Sequence, residues 1–367
     1  MSFFNSLKNL NRYFNLHNNY RRVVFYSESK NDWPHLKGVI KEVLKDANIY
    51  ICYISSDKND PGLKYNNYKF KKILIDNQHL LSWLFKNIET KIMIMTMPDL
   101  NKFHLKRSKH QVHYICIPHS LVSFHMIYRK GAFDHYDTIF CSGPHHVEEI
   151  KAMEKKYNLP KKNLIKYGYG KIDTLIKRKR ERITRSNNIH FLIAPSWGKD
   201  CIIENKKIYE IIDTILLKGN KVTLRPHPQT IKYSVLIIND ILNRYKEEPL
   251  FNYDKDLNNE DIYFDSDVMI SDWSGAAYEY ALSLRKPILF IDTPRKINNF
   301  DYKELKIEPF EVRMRAIVGE YFDSNKKYRL EKINCIKDSE INKNVFSLGF
   351  SAKIGKKYIV NFLKDKN

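Results

Sequence analysis

The sequence predicts an α/β protein made of two Rossmann-like domains facing a cleft. Three observations predict it. Short apolar runs rich in β-branched and aromatic residues alternate with longer amphipathic segments, which implies parallel sheets covered by helices on both faces. A basic stretch, residues 177–188, interrupts that alternation near the middle of the chain. The length, 367 residues, is long for one core and comfortable for two.

Residues 1–22 read as a basic amphipathic helix. Phe3, Phe4, Leu7, Leu10, Tyr13 and Phe14 recur at three- and four-residue spacing, and Lys8, Arg12, Arg21 and Arg22 have no acidic neighbour. Two readings stay open: a helix lying on an anionic membrane face, or a terminal helix packed on its own domain. The first Rossmann-like domain is expected over 23–180. VVFYSES (23–29) reads as a strand, DWPHLKGVIKEVLKD (32–46) as a helix and NIYICYIS (48–55) as a strand. ILIDN (73–77), the helical HLLSWLFKNI (79–88), KIMIMTM (91–97), VHYICIP (112–118) and DTIFCSG (137–143) continue the pattern, the last entering the helix PHHVEEIKAMEKKY (144–157).

The second domain is expected over 181–350. It holds IHFLIAP (189–195), a helix over 204–217, KVTLRPHP (221–228), a helix over 230–245, DVMIS (267–271), a helix over 274–284 and PILFID (287–292). A C-terminal helix is expected over 351–367, from KKYIVNFLKDK (356–366). No repeat of 20–50 residues is evident, and neither half carries GxGxxG, which argues against a dinucleotide oxidoreductase.

Apolar and aromatic contents of 43% and 13% are those of a folded globular protein. No apolar run reaches about 18 residues, the length that spans a bilayer, and no signal peptide is visible at the N-terminus. Cys52, Cys116, Cys141, Cys201 and Cys335 make no CxxC, which fits a reduced cytoplasmic compartment better than a disulfide framework or a zinc site. The formal charge of +21 points to anionic partners, although Lys, Asn, Ile and Tyr are abundant together, as A/T-rich coding drift would also produce. No helix-turn-helix, RNP-like or zinc-finger pattern appears, so nucleic acid is not an expected partner.

Ligands of open parallel sheets bind beyond the carboxyl ends of strands. After KVTL comes Arg225-Pro226-His227-Pro228: Arg225 can present a planar fork to phosphate oxygens, and His227 can donate to the same group or to a leaving phosphate. After DVMIS comes Asp272-Trp273-Ser274-Gly275, where Ser274 fits an N-cap and the amides from Gly275 onward form an anion site at a helix start. Glu279 can accept from ribose hydroxyls one turn on, and Asp272 can orient donors or hold the turn. A rigid turn with an exposed arginine, and a plainly capped core helix, are the structural alternatives. After VHYICIP comes His119, suited to take a proton from an attacking hydroxyl, or simply structural. Ser142 and Gly143 open another helix with anion-binding potential. His145 and His146 are adjacent and point apart, which disfavours a metal pair. The acidic pairs Asp254/Asp256 and Asp265/Asp267 read as chance spacing, so no metal is expected.

IPHS (117–120), GYGKIDTL (168–175), IAPSWG (193–198), RPHP (225–228) and residues 266–292 together resemble the CDP-glycerol glycerophosphotransferase family, which includes teichoic acid primases and polymerases. The resemblance covers roughly residues 110–295, about half the chain. It implies a GT-B fold and transfer of glycerol or ribitol phosphate from a CDP-activated donor to a hydroxyl, with release of CMP. The acceptor would be a lipid-linked or surface glycan, in capsule, teichoic-acid-like or lipopolysaccharide synthesis at the inner face of the cell membrane. On this chain it implies His119 as the acceptor-activating base and Arg225, His227, Ser274 and Gly275 around the diphosphate. It also puts Glu279 near the ribose and Ser196 of IAPSWG on the donor side. The family often has Trp-His-Gly-Thr where this chain has Pro-His-Ser-Leu, and Tyr-Ser-Ser where it has Trp-Ser-Gly. A glycosyltransferase of the same fold using CMP-Kdo or a UDP-hexose is the alternative enzyme. A noncatalytic basic protein binding nucleic acid or membrane is the alternative from another class.

Overall fold

A computed structural model of the chain describes residues 3–178, 188–256 and 259–365. Most of the basic interruption, residues 179–187, lies outside the described residues. The chain folds as two compact units. The first comprises the chain up to Thr174, Asn298–Ile307 and the residues from Lys343 on; the second comprises Leu175–Ile297 and Glu308–Asn342. The sequence expectation gave all of 181–350 to one domain. The structure instead returns Asn298–Ile307 and the stretch from Lys343 to the first unit.

In the first unit seven strands form one parallel sheet: β1 (Val23–Ser27), β2 (Ile51–Ser55), β3 (Phe70–Leu74), β4 (Ile92–Met95), β5 (His113–Cys116), β6 (Thr138–Cys141) and β7 (Asn163–Lys166), in the order β3-β2-β1-β4-β5-β6-β7. Side chains alternate across a strand, so Val24 and Tyr26 enter one core while Val23 and Phe25 enter another. A parallel sheet must be covered on both faces. The helix Phe3–Phe14 contributes Leu10 and Tyr13 to the first core, and the helix Ser351–Asp365 contributes Ile359 and Leu363 to the second. The N-terminal segment is therefore packed on its own unit, and it breaks after Phe14 into a second short helix, Asn18–Arg21. Gly355 lets the C-terminal helix approach closely, because a Cβ there would stand 2.8 Å from Val39 and 2.9 Å from Tyr167.

The crossing segment Asn298–Ile307 is tied down by polar contacts that no hydrophobic pattern reveals. The amides of Asn298 and Asn299 donate to the Met126 carbonyl at 3.0 and 3.1 Å. The Asn299 side-chain amide donates to His125 O at 2.8 Å, and Lys130 pairs with Asp301 at 2.9 Å.

The second unit holds β8 (His190–Ile193), β9 (Lys221–Leu224), β10 (Phe251–Tyr253), β11 (Val268–Ser271), β12 (Ile288–Phe290) and β13 (Gly319–Tyr321), all parallel, in the order β10-β9-β8-β11-β12-β13. The helix expected over 230–245 is two helices, Pro228–Tyr233 and Val235–Arg244, meeting at Ser234. Isoleucines dominate the core beneath: Ile193, Ile208, Ile212, Ile241 and Ile270 are fully buried.

Candidate active site

In the first unit the strand order reverses between β1 and β4, the switch point where open α/β sheets bind ligands. Tyr26, Met95 and Cys116 stand level in the sheet, so the loops after β1, β4 and β5 leave it at one height. His119 lies in the third of these loops and is half-buried. Its Nδ1 stands 3.1 Å from the Thr96 carbonyl, which can only accept. Nδ1 therefore carries the proton, and Nε2 of the neutral ring is the basic nitrogen. Thr96 is itself fixed, its hydroxyl donating to Asp32 Oδ1 at 2.7 Å. The other Asp32 oxygen accepts the amides of Glu28 and Ser29 at 2.8 and 3.0 Å. Tyr169 donates to the His119 carbonyl at 2.8 Å. His35 meets the His119 ring edge-on at 6.3 Å; burial first, then Lys171 and His119, hold its pKa well below the usual histidine range.

Two buried histidines fix the chain after His119. His145 Nε2 donates to Leu121 O at 2.8 Å and His146 Nε2 to Val122 O at 3.1 Å, while His146 Nδ1 accepts the Ser142 amide at 3.2 Å. Burial pushes the His146 pKa down to about 3, so this ring is neutral. Ser142 and Gly143, expected from the sequence to open an anion-binding helix, pack against residues 344–346. The Phe346 amide donates to Ser142 O at 2.9 Å, and a Cβ on Gly143 would lie 2.1 Å from Asn344 O.

In the second unit Ile193 stands level with Leu224 and Ile270, and Ser271 with Phe290. The motifs IAPSWG, RPHP and DWSG thus emerge at one height beside the loop after β12. Asp272 organises them. It is fully buried, and its carboxylate accepts the amides of Ser196 at 2.7 Å, Trp273 at 2.6 Å and Ile202 at 3.2 Å. Its carbonyl accepts from buried Arg315 at 2.7 Å. Asp272 therefore holds the turn. Ser196 is likewise engaged internally, its hydroxyl 3.0 Å from Cys201 Sγ. The Cys201 thiol is pushed up to about 12 by burial and then by Asp272.

Arg225 departs from expectation too. Its side chain is buried, donates to Asp256 O at 2.9 Å, lies 3.9 Å from Asp254 and stacks on Tyr263 at 5.2 Å. The Asp254/Asp256 pair, read from the sequence as chance spacing, is what holds this guanidinium. Asp265 and Asp267 serve His190, which donates from Nδ1 to Asp265 O at 3.0 Å while its amide donates to Asp267 at 3.0 Å. Among the described residues no group of three His, Cys, Asp or Glu side chains is placed to hold a metal ion.

Ser274 caps the helix Gly275–Leu284, its hydroxyl accepting the Ala276 amide at 3.3 Å. Gly275 and Ala276 are partly exposed at this positive helix end, whereas the helix from Ala277 to Ser283 is buried. Glu279 lies on the Gly275 face one turn on and is buried. His227 accepts the Gln229 amide at Nδ1, 3.1 Å away, so its neutral ring carries the proton on Nε2 and can donate it. Sequence reasoning did not single out two neighbours. Trp197 is 38% exposed and stacks on His227 at 6.0 Å and 27°. Lys296 sits 4.7 Å over the Trp197 ring and donates to its carbonyl at 3.1 Å. Trp197 was visible as the apolar member of IAPSWG; Lys296 follows β12 in an irregular loop, where position after a strand is its one signal.

The sequence profile described as CDP-Glycerol:Poly(glycerophosphate) glycerophosphotransferase matches residues 72–298. No protein of curated function matches the sequence. Among solved structures, the chain is similar to the wall teichoic acid polymerase TagF soaked with CDPG, at 14% identity and a TM-score of 0.60, over 98% of this chain and 94% of that one. It is similar to the UDP-GlcNAc 2-epimerase of Methanocaldococcus jannaschii in complex with UDP-GlcNAc and UDP, at 15% identity and a TM-score of 0.57, over 94% and 99%. The Neisseria meningitidis UDP-GlcNAc 2-epimerase gives 13% identity and a TM-score of 0.55, over 93% and 100%. At these identities the likeness is one of fold, and it is the GT-B-like plan of two Rossmann-like units. With the profile covering more than half of its length, the chain belongs to the CDP-glycerol:poly(glycerophosphate) glycerophosphotransferase family and is a transferase of that type.

Proposed function

We propose that this transferase moves a polyol phosphate, glycerol or ribitol, from a CDP-activated donor to a hydroxyl of a lipid-linked or surface-glycan acceptor. The acceptor oxygen attacks the phosphorus that bears the polyol. The bond between that phosphorus and the bridging oxygen breaks, and CMP leaves with the bridging oxygen. The hydroxyl proton goes to Nε2 of His119. The observation that carries this reading is the His119 tautomer: with Nδ1–H bound to a carbonyl, Nε2 is a base at the carboxyl end of a parallel strand. In the second unit, the helix start at Ser274 and Gly275 and the Nε2–H of His227 are suited to the diphosphate, and Glu279 to the ribose. Catalysis of this kind is mostly positioning and charge stabilisation.

The chemistry needs no ion in this reading, so turnover in EDTA equals turnover without it; a strict requirement for added Mg²⁺ would overturn that part. The deciding experiment offers the purified protein CDP-glycerol, CDP-ribitol, CMP-Kdo and UDP-hexoses with candidate acceptors and identifies the nucleotide released. Release of CMP with phosphate retained in the product supports the proposal. Sugar transfer without phosphate would replace it with the glycosyltransferase alternative.

The membrane part of the proposal rests on the outer face of the helix Phe3–Phe14, where Phe3, Phe4, Lys8 and Arg12 are exposed with no acidic residue in the helix. Among the described residues no helix is long and apolar enough to cross a membrane. Because Leu10 and Tyr13 belong to the core, deleting the helix would unfold part of the unit. The triple substitution Phe4→Ser, Lys8→Glu, Arg12→Glu tests the outer face alone. Binding to vesicles containing anionic lipid falls if the reading holds, and unchanged binding removes it.

A further inference from the structure

Four cations approach the strand ends of the second unit that carry RPHP and DWSG, and they differ in what already holds them. Arg225 is buried among Asp254, Asp256 O and Tyr263. Arg315 is buried, donates to Asp272 O and Ile291 O, and lies between Trp273 and Phe290 at 4.2 Å from each ring centre. Arg295 is exposed, 5.8 Å over Trp273. Lys296 is different: half-buried, and anchored only through the Trp197 carbonyl and ring. Among the described residues no carboxylate lies within 4.0 Å of its ammonium. Trp197, on which it rests, follows Ser196, whose amide donates to Asp272, and this places Lys296 beside the DWSG turn. The other neighbour of Trp197 is the His227 ring, whose Nε2 carries a donor proton.

We propose that Lys296, perched on Trp197, is the ammonium that meets the diphosphate of the donor, the role that sequence reasoning gave to Arg225. The inference rests on the proposed reading of a nucleoside-diphosphate donor and assigns its principal charge partner. An ammonium without a carboxylate partner is held half out of water at the end of a parallel sheet. A diphosphate supplies the missing counter-charge, and the Gly275 amide at the helix start can donate a further hydrogen bond to its oxygens. Burial lowers the pKa of this lysine, and an incoming anion offsets that cost. Trp197 fixes where the ammonium waits, so a flexible four-carbon stem loses less freedom on binding.

Calorimetric titration of CDP and of UDP into the wild type, Lys296→Ala, Lys296→Gln and Lys296→Arg tests this. Glutamine keeps a donor for the Trp197 carbonyl and removes the charge. The expected result is a loss of CDP affinity on the order of 10- to 100-fold in both Ala and Gln variants, with partial recovery in Arg and unchanged apo melting temperatures. A Gln variant within about twofold of wild type would overturn the assignment, because Lys296 would then merely prop Trp197. If Ala lowers the apo melting temperature, the Gln variant decides alone. Should the wild type bind UDP in place of CDP, with the same loss in the variants, the cytidine reading falls and Lys296 keeps its role. A wild type that binds neither nucleotide would overturn both.

Discussion

At His119 the chemistry depends on which imidazole nitrogen is basic, and that depends on two residues far away in sequence. Thr96 supplies the carbonyl that takes Nδ1–H, and Asp32, 64 residues before it, holds the Thr96 hydroxyl. His119→Ala is expected to lower kcat on the order of 100-fold or more with donor affinity kept, measured by single-turnover kinetics against calorimetry. Near-normal turnover would remove the base role. Thr96→Val keeps the carbonyl but releases it from Asp32, so kcat should fall about tenfold with donor KM unchanged, as expected for lost positioning. Parallel loss of donor affinity would instead mean general loosening of the loop. His119 was legible as a candidate because it closely follows an apolar strand, where parallel sheets bind their ligands. Asp32 and Thr96 were not, since their pairing exists only once β1 and β4 lie side by side.

Elements show a similar division. Central strands were legible because burial on both faces makes them uninterrupted apolar runs, and the PHHVEEIKAMEKKY helix ends where its pattern does. Three strands escaped notice: β7, β10 and β13, each at a sheet edge, each three or four residues long and partly exposed. Edge strands are kept short and polar to avoid pairing with other chains, which erases the signal that would reveal them. The DWSG turn was legible as a capped helix, and Ser274→Ala should cost about 1 kcal/mol of stability, read from denaturant unfolding. What the pattern did not reveal is that Asp272 faces inward. Asp272→Ala leaves three buried amides without their acceptor, so the second unit should lose more than about 3 kcal/mol, well beyond the Ser274 effect. A stable variant with selectively weakened donor binding would return Asp272 to the ligand side.

For the molecule as a whole, acid is expected to act on the first unit through His146, which stacks on Phe124 at 3.8 Å and is neutral when folded. The unfolded chain protonates this histidine below about pH 6.5, while the folded chain resists until about pH 3. Stability from this group is complete above the first value and is lost as pH falls, by about 2 kcal/mol near pH 5. A His146→Gln variant should show a shallower fall in melting temperature between neutral and acid pH. An identical slope would assign the acid sensitivity elsewhere, His35 having the same sign. The two-unit plan itself was legible from alternation and length. Which sheet each later helix covers was not, because an amphipathic face says that a helix is covered and not by what.

The first unit's sheet is covered on one face by the helix Phe3–Phe14, which precedes every strand, and on the other partly by Ser351–Asp365, which follows the whole second unit in sequence. During translation the second unit can therefore finish first, while the core that holds Val39, Phe140 and Tyr167 still lacks Ile359 and Leu363. The nascent chain carries a partly uncovered apolar core for the time needed to add some 180 residues, on the order of ten to forty seconds. Chaperone demand in the cell should follow the speed of elongation, and a stop at residue 342 should yield a soluble second unit attached to an aggregating first one.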